Sequence, residues 1–335
     1  MAIDIETFFG QRAIQDNKDY LHTRFENGDS LNFDTPPRII DIHLGHKGKP
    51  CNLQCVWCFD QDKNKPKPKK WTPEIIKQFE IEIDNVINWK KGSSQVEKIY
   101  IAGGGEPTLY PEVANLIVDK FSQAQREVWL TTNGVQIKEP ILNSIVKHGA
   151  GILVSIPGSN RDSYQENGGF DHFDKVLGTL QQLAEKKKLH HSSMEINVTH
   201  VLIPNTLDHL ENFILQLEEI GVNEFRMRYD IFSDPQAKHN TRGLQIVKNI
   251  IEKYPNLNIK IILKSPQKES LSKSADCYSP FLWPTWNPLH GIFPCAHATD
   301  DKNKIQSQQT NEVYSLTKIQ TSPKELLAPD CHRRC

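Results

Sequence analysis

Apolar positions along the chain switch repeatedly between two periods. Short β-branched runs alternate with longer stretches of helical spacing. Arg38-Ile39-Ile40-Asp41-Ile42-His43-Leu44 reads as a first strand, with a turn after it. Lys98–Ala102, Glu127–Thr131, Ile152–Ser155, Glu195–Leu202 and Glu224–Arg228 read as five more. Between them the helical period runs from Pro73 to about Trp89, Pro111 to about Gln125 and Glu139 to about His148. It returns from Phe170 to about Lys187, Leu207 to about Ile220 and Gly243 to Lys253. Thr72-Pro73-Glu74 supplies an N-cap and a first-turn proline. Six βα units predict an α/β fold with a parallel sheet and right-handed crossovers. Six strands are too few to close an eight-stranded barrel.

The alternation has two boundaries. Residues 1–36 read as an N-terminal extension, in which Glu6 to Phe25 is expected to be partly helical and Asp34-Thr35-Pro36-Pro37 interrupts. Residues 37–264 carry the six units. From 265 to 335 proline, serine and tryptophan replace the βα rhythm, which predicts a small appendage.

Charge changes the picture by what it excludes. The 335 residues hold 40 basic and 41 acidic side chains. That balance gives no pull toward nucleic acid or an anionic membrane. No apolar run approaches the ~20 residues a membrane span needs. Met1 to Arg12 lacks the basic-then-apolar pattern of a signal peptide. A cytoplasmic protein with no membrane partner is expected. Lys63 to Lys70 is basic and proline-bearing, either a solvated loop or a contact for an anionic substrate group.

The chemistry lies in cysteine spacing. There are seven: Cys51, Cys55, Cys58, Cys277, Cys295, Cys331 and Cys335. An odd count without an export signal argues against a disulfide framework. The first three stand at C-x3-C-x2-C, with no local fourth. Closed zinc and iron–sulfur sites take four ligands. Three close thiols therefore suit a [4Fe–4S] cluster with one open iron. They also suit a zinc site completed by a distant His or Cys.

Other motifs follow strand ends. Gly103-Gly104-Gly105 allows close approach of a ligand to backbone, and Glu106 can accept from an ammonium. An ordinary Gly-rich βα turn explains the same residues. A dinucleotide loop does not fit, because after Glu106-Pro107 its third glycine would fall at Thr108. Asn133-Gly134 is a turn signal. Ser155 begins Ser-Ile-Pro-Gly. Arg226 and Arg228 lie two apart on a strand and share a face. They can bind a carboxylate or phosphate, or be surface arginines. Asp41, His43 and His46 can position substrate, or be satisfied polar groups at a strand end.

Together these segments resemble the radical S-adenosylmethionine (SAM) family. The resemblance implies a partial (β/α)6 TIM-like barrel. It implies that Cys51, Cys55 and Cys58 hold a [4Fe–4S] cluster, whose open iron is chelated by the amine and carboxylate of SAM. Trp57 would lie beside the adenine. Gly104, Gly105 and Glu106 match the segment that binds the SAM amino group. Asn133 matches a Thr-Asn-Gly segment of the family and is expected to contact the cofactor. Ser155 matches a serine on the SAM ribose or carboxylate, although Pro157 replaces the usual Asp. Val201 opens the segment bordering the adenine, and Arg228 is a further candidate ligand of the cofactor.

The late cysteines resemble the twitch form of a SPASM-type auxiliary domain. Cys277, Cys295 after Gly291-Ile292-Phe293-Pro294, Cys331 and Cys335 would hold a second [4Fe–4S] cluster. Cys331-His332-Arg333-Arg334-Cys335 departs from the more usual CxxC pair, and zinc on the same four thiols is the competing reading. The family implies reductive cleavage of SAM and hydrogen abstraction from a substrate. With all seven thiols on iron, none is spare to donate a hydrogen atom. That favours net oxidation of a small polar metabolite or sugar over epimerisation, with a flavodoxin- or ferredoxin-type electron donor. A dehydratase or peptide-modifying enzyme is the alternative. The non-enzyme alternative is a zinc-stabilised module that holds RNA with its basic loop and CHRRC tail.

Overall fold

The computed structural model describes residues 20, 33–46, 50–58, 69–229, 238–264, 279–296 and 304–320. Cys277, Cys331, Cys335, most of the extension 1–36 and most of the basic loop lie outside the described residues. The chain divides into two compact units. One comprises residues 16–51, 60–131 and 269–335; the other comprises 1–15, 52–59 and 132–268.

The strands are β1 Ile39–Ile42, β2 Lys90–Lys91, β3 Ser94–Gln95, β4 Lys98–Ile101, β5 Glu127–Thr132, β6 Gly151–Ser155, β7 Ile196–Leu202, β8 Glu224–Tyr229 and β9 Lys260–Lys264. After them come β10 Thr285–Asn287, β11 Gly291–Phe293, β12 Ser307–Thr310 and β13 Val313–Ile319. In the first unit the order is β11-β10-β1-β4-β5; in the second it is β6-β7-β8-β9. Pairing is parallel except at β10–β11. Two short antiparallel hairpins, β2–β3 and β12–β13, stand apart. The fold is mixed α/β with a mainly parallel sheet.

In the first unit Ile40, Ile42, Ile99, Ile101 and Trp286 are fully buried. Trp286 is in register with Ile42 and meets Phe79 of the helix Pro73–Asn88 edge-on. Strand side chains alternate faces. Asp41, Thr285 and Tyr100 therefore form a row on the opposite face.

The second unit repeats the division. Val198, His200, Leu202, Phe225 and Met227 are buried. His200 packs on Phe213 of the helix Leu210–Ile220. Asn197, Thr199 and Val201 alternate with them and pair with Glu224, Arg226 and Arg228. One face of this sheet is thus apolar and helix-covered, the other polar.

His200 is the exception within the apolar face. Its Nδ1 lies 2.9 Å from the Ile156 carbonyl. Its Nε2 has no hydrogen-bond partner among the described residues. Burial pushes its pKa down from 6.5 to about 4, against a smaller upward pull from the Ile156 carbonyl. The folded state then holds the ring neutral where the unfolded chain protonates it. Stability is complete above pH 6.5 and falls as pH drops toward 4, by on the order of 3 kcal/mol. Urea unfolding across that window measures the slope, and His200→Gln flattens this part of it.

Among the described residues, no helix is long and apolar enough to cross a membrane.

Candidate functional site

The loop leaving β1 is pinned from several sides within its own unit. Trp71 Nε1 donates to the Leu44 carbonyl at 3.1 Å, and Asn287 Nδ2 to the Gly45 carbonyl at 2.6 Å. The His46 ring stacks on His290 with centroids 3.8 Å apart. The chain reaches Cys51, which is exposed, just after Pro50, whose carbonyl accepts from Glu106 N at 2.9 Å.

Glu106 ends the glycine turn after β4. Gly103, Gly104 and Gly105 have φ of +68°, +61° and +108°. A Cβ on Gly103 would meet the His43 ring at 2.6 Å, and one on Gly104 the Gly45 carbonyl oxygen at 2.6 Å. Glycine is required here by torsion and by space. The turn therefore lies flat on the exit of β1. Glu106 is 3% exposed. Its Oε1 accepts from Thr108 N at 3.0 Å and Thr108 Oγ1 at 2.7 Å, capping the short 3-10 helix Pro107–Leu109.

Beside this turn lie Asp41 and His43, both buried, with Asp41 Oδ2 3.7 Å from His43 Nε2. Asp41 Oδ1 and the register-paired Thr285 Oγ1 have no hydrogen-bond partner among the described residues. Among the described residues, the expectation of satisfied polar groups at a strand end holds for Asp41 Oδ2, paired with His43, and not for Oδ1. The Asp41 carboxylate and the Thr285 hydroxyl offer polar atoms on the face opposite Trp286.

The rest of the cysteine loop belongs to the second unit. Cys55 and Cys58 are half-buried, and Cys58 N donates to the Cys55 carbonyl at 3.0 Å. Trp57 is half-buried in the turn between them, and Val56 is exposed. Asn133 is buried just beyond β5. Its Nδ2 donates to Asn52 Oδ1 at 2.6 Å, and its Oδ1 accepts from Val135 N at 3.0 Å. Ser155 is half-buried at the end of β6, Val201 half-buried on β7, and Arg228 exposed on β8 in register with Val201. Arg226 ion-pairs with Glu224, which also lies 3.4 Å from Lys260 Nζ. Two residues apart on one strand face, Glu224 and Arg226 compensate each other's charge.

Of the late cysteines, Cys295 is described. It is buried two residues past β11, the second strand of the antiparallel β10–β11 hairpin. Within the second unit, the segment Asn52–Val56 is held by residues that motif reasoning passed over, Asn167 to Gly169.

The donor set fits an iron–sulfur cluster. Three thiols sit on one irregular loop, whose first cysteine directly follows the Pro50 carbonyl held by Glu106 N. Among the described residues no three His, Cys, Asp or Glu side chains converge on a point that would hold a single ion. A cubane differs, since each cysteine takes its own iron and the ligands stay spread.

Comparison with known proteins points the same way. The family profile for the Radical SAM superfamily matches residues 48–217. The chain is 26% identical over 272 residues to "Uncharacterized protein MJ0907" of Methanocaldococcus jannaschii, covering 76% of this chain and 87% of that protein. It is 23% identical over 258 residues to "Radical SAM cyclopropyl synthase TigE" of Paramaledivibacter caminithermalis, covering 73% of this chain and 51% of that one. It thus spans about half of the length of that relative. Among solved structures, Streptococcus suis SuiB bound to precursor peptide SuiA superposes with a TM-score of 0.62 at 14% identity, over 99% of this chain and 73% of SuiB. That likeness shows the fold, mixed α/β with a mainly parallel sheet, in keeping with the partial TIM-like barrel that the family resemblance implies.

Proposed function

The chain belongs to the radical SAM superfamily, and from that premise we propose that Cys51, Cys55 and Cys58 hold a [4Fe–4S] cluster whose open iron takes SAM. When bound, cluster and sulfonium supply a one-electron cleavage that gives methionine and a hydrogen-abstracting deoxyadenosyl radical. The chain's own residues bind, orient and exclude water. Gly104 and Gly105 offer backbone to the methionyl end, and Glu106 accepts from its ammonium. Trp57, Ser155, Val201 and Arg228 serve the adenosine end. The observation that carries this reading is the glycine turn locked onto the exit of β1, with Glu106 N bonded to the residue before Cys51.

Glu106 has two separable duties. Glu106→Gln keeps an Oε1 acceptor for Thr108, so apoprotein stability stays within about 0.5 kcal/mol of wild type, while Glu106→Ala loses about 1 kcal/mol with the cap. Both lose the charge, so both weaken SAM binding to the reconstituted protein. Equilibrium dialysis with labelled SAM, beside urea unfolding, reads the two effects apart.

We further propose net oxidation of a small polar substrate. Cys277, Cys295, Cys331 and Cys335 would hold a second [4Fe–4S] cluster that accepts the substrate's electron. The buried polar row at Asp41 and Thr285 supports a hydroxyl- or amine-bearing substrate. A second reading, modification of a peptide, is favoured by the fold shared with a structure bound to a precursor peptide. Anaerobic reconstitution with iron counting tests the two-cluster reading: about eight irons per chain support it and about four overturn it. A product lighter by one hydrogen pair per deoxyadenosine marks oxidation. Conversion of peptide alone sinks the small-substrate reading.

A further inference from the structure

The segment between the first and second cysteines has no regular secondary structure, yet its backbone is fastened. Gln54 N donates to the Gly168 carbonyl at 2.8 Å and Val56 N to the Asn167 carbonyl at 2.9 Å. Cys55 lies between these two anchored residues. Asn52, directly after Cys51, accepts from Asn133 Nδ2. Leu53 is buried, with Cδ2 3.8 Å from where a Cβ on Gly168 would stand.

The receiving side is itself rigid. Asn167 Nδ2 donates to the Pro157 carbonyl at 2.9 Å, and its amide pairs reciprocally with Asn205 at 3.1 Å each way. The helix Arg161–Gly168 that carries it starts on an Asn160–Ser163 capping box. It ends at Gly169 with φ +83°, where a Cβ would stand 3.0 Å from Gln54 Cβ. Gly169 lets the helix end come up against the loop, and Gly168 lets it close on Pro157.

We propose that Asn133, Asn167 and Asn205 are positioning residues for the cluster: through Asn52, Gln54 and Val56 they hold the cysteine loop in its ligating conformation before iron arrives. The inference rests on the cluster reading above. It assigns Asn133 to the protein loop, in place of the direct cofactor contact that its motif suggests. Neither Asn133 nor Asn167 supplies a ligand, so their effect is on how firmly iron is kept. Groups that orient metal ligands typically change metal affinity by about 10–100-fold when removed.

The test is the bleaching rate of reconstituted protein under excess ferrozine, followed at ~400 nm, with apoprotein thermal unfolding beside it. Asn133→Ala and Asn167→Ala should bleach about tenfold faster or more and shift the electron paramagnetic resonance signal of the reduced cluster. Asn52→Asp keeps an acceptor for Asn133 and should bleach close to wild type, whereas Asn52→Ala should match Asn133→Ala. Unchanged bleaching and spectra in both Ala variants overturn the clamp. Equal loss in Asn52→Asp and Asn52→Ala also overturns it, because the hydrogen bond is then irrelevant. If wild type binds iron without cleaving SAM, the reading of the reaction fails and the clamp stands.

Discussion

Cys58→Ala leaves the chain folded and strips it of its chemistry. Cys58 sits in an irregular turn, tied to Cys55 through backbone that alanine retains. The substitution removes the thiol. Two remaining early thiols cannot fix a cubane that needs three protein ligands in this family. Iron at the early site falls to background, and deoxyadenosine formation drops by about a hundredfold or more. Cys295→Ala is the contrast. Cys295 is buried beside β11, and under the two-cluster proposal its loss removes about half of the iron while SAM cleavage continues. Inductively coupled plasma analysis with a deoxyadenosine assay reads both variants. Wild-type iron in Cys58→Ala contradicts the assignment.

Gly104→Ala gives the second large effect. At φ +61° an L-residue pays about 1–2 kcal/mol for the left-handed region. The added Cβ also meets the Gly45 carbonyl oxygen at 2.6 Å, and that oxygen is held by Asn287. Neither group can yield cheaply, so the expected loss is about 2–4 kcal/mol. SAM affinity falls with it, since the turn cannot rest on the exit of β1. Gly178→Ala is the control. Gly178 lies in the helix Phe173–Leu189 with nothing within 4 Å of the added Cβ. That change stabilises by up to about 1 kcal/mol. Urea unfolding of both variants decides the matter, and equal stabilities contradict it.

Much of the scaffold was legible because strands buried on one or both faces leave β-branched runs that few other elements produce. The six expected strands appear within about two residues. The helix Arg161–Gly168 was not legible. Its sequence, RDSYQENG, is polar, and of its large side chains only Tyr164 is buried. What marked it was the Asn160–Ser163 cap and the closing Gly168-Gly169 pair, a signal of ends rather than of period. β9 and β10 were also missed. Lys260–Lys264 is a short apolar run flanked by lysines, and Thr285-Trp286-Asn287 is too brief for periodicity. Both pair in parallel with strands whose partners depend on tertiary context.

At the site, the motifs announced residue types but not partners. Glu106 was readable as a carboxylate beside glycines, whereas its cap to Thr108 depends on the turn after it. Asn133 was readable as a turn residue; its bond to Asn52 spans 81 positions, which no local pattern encodes. Arg226 was readable as a candidate anion ligand, and its neutralisation by Glu224 follows from their shared strand face.

The most direct measurement is SAM turnover by the anaerobically reconstituted, dithionite-reduced chain. Methionine and 5′-deoxyadenosine should form in equal amounts, and both should vanish in Cys58→Ala. A wild-type chain fully loaded with iron that yields no 5′-deoxyadenosine above a protein-free control contradicts the account.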